Sequence, residues 1–135
     1  YYTTQKFISK VARGGKGATV SRTDVMHAFR NIILMSKCWH QQVVKVFGLC
    51  YVQCCGTFGS VMAGDRWITF VMGILEIVRK VLQLEGLDVF VDNFDNVVPG
   101  VNGEPDWDRA HSEHDAMMGL LRDRFHFPLH EEEQP

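Results

Sequence analysis

The residues best suited to chemistry lie in one stretch, Leu87 to Val98, where two apolar arms flank the polar centre Asp92-Asn93-Phe94-Asp95. Val and Phe favour strand, whereas Asp and Asn favour tight turns. The stretch therefore reads as a β-hairpin that holds carboxylates near its tip. Carboxylates fixed close together on rigid strands repel each other unless a cation lies between them, and a hard, oxygen-preferring ion such as Mg²⁺ suits such a place. Taken alone, the same residues also fit a surface turn rich in Asp and Asn. A further carboxylate, Asp24, ends a predicted strand from Ala18 to Asp24. If the two strands are neighbours, Asp24 and Asp92 converge at one edge of the sheet, as a two-metal phosphoryl-transfer site with ions ~3.5–4 Å apart requires.

The elements that must position these groups follow from periodicity. Thr3 and Thr4 can cap a first helix with Phe7, Ile8 and Val11 on one face, and Gly14-Gly15 stops it. Gly14-Gly15-Lys16-Gly17 lacks P-loop spacing and reads as a turn. Val25 to Leu34 is ambiguous between turn and helix. Val43–Val46 and Leu49–Val52 flank a Phe47-Gly48 corner as a hairpin. A long helix is predicted from about Met62 to Leu84. Trp67, Val71, Ile74, Val78 and Val81 form its inner face, and Phe70, Ile77 and Leu84 widen that face. Glu76 and Lys80 pair outside, and Gly86 ends the helix. Pro105 suits the first turn of a last helix, whose inner face is Trp107, Ala110, His114, Met117, Leu121 and Phe125. His111 and His114 are three apart, but spacing places no third zinc ligand. Phe127 to His130 forms a short extended segment before an acidic tail. The predicted fold is α+β, an antiparallel sheet with two long helices packed on one face.

Composition bounds the possibilities. At 135 residues the chain is one domain's worth; 46% hydrophobic and 22% charged residues exclude a disordered class. A net charge of -2 excludes a global basic field, yet the first 22 residues hold five Lys or Arg and no acid, so a local basic face is open. Four cysteines without a CxxC pair point to a reduced, intracellular setting. The longest mostly apolar run, Trp67 to Leu75, is too short to span a bilayer, and no membrane partner is expected. The chain begins without Met, which suggests a piece of a longer protein.

Four segments, in order, carry a resemblance. Ser21-Arg22-Thr23-Asp24-Val25-Met26-His27-Ala28-Phe29-Arg30-Asn31-Ile32 resembles motif A of reverse transcriptases, a hydrophobic strand with D-x-x-x-A-F. Thr57-Phe58-Gly59-Ser60, leading into the long helix, resembles motif B. Phe90-Val91-Asp92-Asn93 resembles motif C, Y-x-D-D. Leu120 to Phe125 with Phe127-Pro128-Leu129-His130 resembles motif D. Order and spacing are similar to the DIRS-like and related fungal retroelement kind across nearly the whole chain. The resemblance covers the palm, so residues 1–135 are expected to form a single palm-like domain, without most of the fingers and without the thumb.

The resemblance implies an RNA-directed DNA polymerase acting on an RNA or DNA template with primer and on deoxynucleoside triphosphates, with two Mg²⁺ ions as cofactors. It implies that Asp24 and Asp92 hold the ions and that the Val25 carbonyl completes a metal shell. Phe29 would be a steric gate against a ribose 2′-hydroxyl, half-exposed on the floor of the cleft, and Phe58 and Gly59 would lie against the nucleotide. The chain departs from the pattern twice. Asn93 stands where motif C has its second Asp and leaves the site one charge short. Glu131-Glu132-Glu133 stands where motif D usually carries a Lys. These departures keep a second class open, a catalytically lapsed remnant or a domesticated palm-like interaction module. A small RNA-binding sheet domain would need an aromatic stacking pair that the strands lack.

Overall fold

The computed structural model describes residues 4–57 and 61–130, with only the backbone of residues 61 and 62. In chain order the elements are helix α1 (Thr4–Gly14), strand β1 (Thr19–Asp24), two 3₁₀ segments (Ala28–Asn31 and Ser36–Gln41), strands β2 (Val43–Val46) and β3 (Leu49–Val52), helix α2 (Val61–Leu82), strands β4 (Leu87–Phe90) and β5 (Asn93–Val98), and helix α3 (Trp107–Asp123). This is an α+β chain with antiparallel strand pairs. It divides into two compact units, one of Tyr1–Met26 with Val71–Pro135, the other of His27–Phe70.

The first unit holds a three-stranded sheet in the order β1-β5-β4. Thr23 pairs with Phe94, Ser21 with Asn96 and Thr19 with Val98, so these residues share one face. Leu87 and Val89 join them from β4. Phe94, Asn96 and Leu87 are fully buried, which marks this face as the core side. Helix α3 covers it: Thr23 Oγ1 donates to Met118 Sδ at 3.1 Å, and Asn96 Nδ2 donates to Glu113 Oε2 at 2.7 Å. Ala110, Met117 and Leu121 are the buried residues of α3, spaced as one helical stripe. Asp106 caps α3 by accepting from the Arg109 N–H at 3.1 Å. The opposite face carries Val20, Arg22 and Asp24 with Val97, Asp95 and Asn93 opposite them. Lys10 of α1 and Arg79 of α2 both reach β4, bonding the Leu87 carbonyl and the two oxygens of the Asp88 carboxylate.

Several sequence expectations are corrected at the level of single residues. On α2 the buried residues are Trp67, Val71, Ile74, Leu75 and Val78, while Phe70, Ile77 and Val81 are exposed. At 100° per residue the last three lie on the flank opposite Leu75, so the stripe is centred further round than the +4, +3 spacing implied. Glu76 pairs with Arg79 rather than Lys80. Helix α2 ends at Leu82, where Gln83 takes a left-handed φ of 55° and the Leu84 N–H returns to the Arg79 carbonyl. This is a C-terminal cap of the Schellman kind, made without glycine. Gly86 serves close approach instead, because a Cβ there would collide with the Val97 carbonyl. Ile8 and Trp107, expected inward, are exposed, and the inner stripe of α1 runs through half-buried Phe7, Lys10, Val11 and Gly14.

In the second unit β2 and β3 form the expected hairpin, with Phe47 and Gly48 both at positive φ, the signature of a type I′ turn. Every residue of both strands is exposed. The Ile33–Cys55 bridge and the Leu34 N–H to Cys54 carbonyl bond tie the following chain back to the 3₁₀ region. All four cysteines are free thiols.

Phe94 sits fully buried in the central strand, so Phe94→Ala should cost about 3–5 kcal/mol. Urea denaturation should show this loss, while Val20→Ala on the exposed part of β1 should stay within about 0.5 kcal/mol.

Candidate functional site

Asp24 is the last residue of β1 and pairs directly with Asn93, the first residue of β5. Asp92 precedes Asn93 in the two-residue turn that joins β4 to β5. The Val25 N–H donates to the Asp92 carbonyl at 3.0 Å, so the end of β1 is fastened to the hairpin tip. On its other side, β1 meets the segment after α3. The His130 N–H donates to the Asp24 carbonyl at 3.1 Å, Met26 N–H to Pro128 at 2.8 Å, and Val25 bridges Leu129. Asp24 is thus held between β5 on one side and the 128–130 segment on the other.

The electrostatics of the pair are unfavourable as they stand. Both carboxylates are half-buried. One oxygen of Asp24, Oδ1, is buried and accepts no hydrogen bond. Burial first, and then the neighbouring charge of Asp24, hold the Asp92 carboxyl above its ordinary pKa. Proximity of like charge and loss of water each favour a proton or a cation here. The Val25 carbonyl also faces the tip, because N–H and C=O of one extended residue point to the same side. Two carboxylates and one carbonyl are oxygen donors of the type a hard divalent cation takes. Among the described residues no cluster of three or more His, Cys, Asp or Glu side chains could hold a metal, and Asn93 adds a neutral side chain beside Asp24.

The turn that aims Asp92 is strained. Val91 has φ 58°, a left-handed value that a β-branched residue rarely adopts. A two-residue hairpin whose first central residue has positive φ normally carries glycine there. Backbone of this kind persists where the surroundings over-determine it, typically at functional sites.

Asp95 is not at the hairpin tip, as the sequence suggested, but inside β5 with its side chain fully buried. Its two oxygens accept from Arg22 Nε at 2.6 Å and Arg22 Nη2 at 2.9 Å. Arg22 and Asp95 are cross-strand partners on the face that carries Asp24 and Asn93. The sequence reading overlooked this pair. Its signal was present as alternation: Arg22 lies two residues before Asp24, and Asp95 two after Asn93.

Phe29 lies in the second unit, half-buried, and lines a cavity of about 230 Å³ with Ile32, Leu34, Cys38, Ala63 and Arg66 among others. Phe58, Gly59 and the Glu131–Glu133 tail lie outside the described residues. The His111 and Trp107 rings stack with centroids 6.2 Å apart, and among the described residues His111 belongs to no group that could hold a metal. No helix among the described residues is long and apolar enough to cross a membrane. The chain matches no protein-family model and no curated protein.

Two outcomes follow from the tip. Val91→Gly should relieve the left-handed strain and stabilise the chain by about 1 kcal/mol in chemical denaturation, within the usual cost of such a residue. Asp92 has its pKa raised in the folded state, so its ionised form opposes folding above the folded pKa, and this penalty fades as pH falls through that value. Asp92→Asn should therefore be more stable than the unmodified chain at pH 7, and the gain should vanish below the ordinary Asp value of about 3.9. Urea midpoints across that range measure it.

Proposed function

We propose that the chain is the palm of an RNA-directed DNA polymerase, in which Asp24 and Asp92 hold divalent cations for nucleotidyl transfer to a primer 3′-hydroxyl. The observation that carries this reading is the meeting of two half-buried carboxylates at one end of the β1–β5 pair, with Asp24 Oδ1 unpartnered and the Asp92 carboxyl raised. Such a pair is costly alone and is offset by a divalent cation. Bound there, Mg²⁺ would activate the 3′-hydroxyl and neutralise charge on the triphosphate and the leaving pyrophosphate. Asp24 and Asp92 anchor the ions from rigid backbone, and the Val25 carbonyl supplies a further oxygen. Asn93 offers only a neutral oxygen. The three-stranded antiparallel sheet with α3 on one face, and the four motif-like segments in order, support the same reading. The substrates are a primed RNA or DNA template and deoxynucleoside triphosphates.

One observation favours the second class, a lapsed palm used as an interaction module. Asn93 directly faces Asp24, so the site has two negative charges where three would be usual. The test is extension of a primed RNA template by the protein that contains this chain. Extension should be weak and Mg²⁺-dependent, Asp92→Ala should abolish it, and Asn93→Asp should raise it about tenfold, or about 1.4 kcal/mol of barrier. Strong extension that Asn93→Asp leaves unchanged would refute the role given to Asn93. If neither form extends primers nor binds Mg²⁺ with nucleotide, the interaction-module reading replaces the enzyme.

A further inference from the structure

Resting on that reading, we propose that Arg22 is a positioning residue that grips a phosphodiester of the primer–template duplex beside the Asp24–Asp92 pair. Asp95 has a fully buried side chain, while that of its partner Arg22 is 57% exposed. A buried carboxylate needs charge-assisted bonds, and the two bonds from Arg22 supply them. The same two bonds fix the guanidinium in one orientation and leave most of the side chain facing solvent. A planar guanidinium already ordered in this way loses little freedom when it meets a phosphate.

Placement gives the cation its use. Alternation along β1 puts Arg22 on the same face as Asp24, one pleat away, a spacing of ~6.7 Å. Arg22 lies on the side of Asp24 away from the hairpin tip. An anion at Arg22 therefore sits next to a group reacting at the carboxylates rather than in its place, which points to the nucleic-acid backbone and not to the incoming triphosphate. Val20 and Phe90 are half-exposed on the same face and add apolar surface for sugar contact. Contacts of this type fix register on a duplex without reading its sequence. The alternative is that Arg22 serves only as the counter-ion of Asp95.

The two roles separate in the double variant Arg22→Met/Asp95→Leu, which replaces the pair by apolar residues and removes the buried charge along with its partner. Binding of a labelled primer–template duplex to the full chain is followed by fluorescence anisotropy across a salt series. A phosphate grip predicts about tenfold weaker binding and a salt slope reduced by about one, with folding retained. Unchanged affinity and slope in the folded double variant would overturn the proposal. Should that variant not fold, the Arg22 Nε resonance of the unmodified chain decides: it shifts on adding duplex if Arg22 meets phosphate, and its standing still overturns the grip. Mg²⁺-dependent nucleotide binding, compared between the unmodified chain and Asp92→Ala, tests the polymerase reading separately. Loss of the Arg22 effect with that binding intact sinks the grip alone. Absence of both sinks the reading beneath it.

Discussion

The double pairing of β5 is the constraint on which the first unit depends. The strand bonds β1 on one side and β4 on the other, and five of its six residues are buried. Two of those five are polar, Asp95 and Asn96. A central strand tolerates them only if their partners arrive in register. Arg22 reaches Asp95 from β1, and Glu113 reaches Asn96 from α3. A slip of one residue would turn Asp95 and Asn96 to the wrong faces and separate both pairs, so the buried polar groups select the register that the apolar ones merely permit. Removing one partner would leave a buried charge uncompensated at a cost of about 3–5 kcal/mol.

That register is also what brings the candidate site together. Fixing Asp24 opposite Asn93 leaves Asp92 one residue beyond, in a turn too short to wander. The turn closes only with Val91 in a left-handed conformation, a local expense carried by the well-buried strands on either side. Stability stored in Phe94, Leu87 and Val89 thus holds an arrangement that two neighbouring carboxylates would otherwise drive apart. The same face presents Arg22, so a guanidinium and the Asp24 carboxylate lie side by side on one surface.

The second unit follows different rules. Its hairpin exposes Val43, Val46, Leu49 and Tyr51, and Phe47 stands fully in solvent at the turn. A two-stranded ribbon has little core of its own and is marginal in isolation. Its order rests on the turn geometry and on the ties from Leu34 and Ile33 to Cys54 and Cys55.

The sequence by itself determined the kinds and order of the α-helices and β-strands, though not of the 3₁₀ segments, because periodicity and turn chemistry are local. The 3.6-residue stripe of α2, the Phe47-Gly48 corner and the apolar arms around Asp92 each name their structure without help from distant residues. Sequence also put Asp24 at the end of a strand and Asp92 at a hairpin tip, where the structure has them. It could not place Asp95, which composition assigns to a turn and tertiary pairing draws into the core, since its burial is stabilised by Arg22 from another strand. Nor could it show which flank of α2 is buried, that Gln83 caps that helix, or that Gly86 is needed for its closeness to Val97. Those are decisions about which surfaces meet, and they are made by long-range packing and by buried charges finding partners far away in the chain.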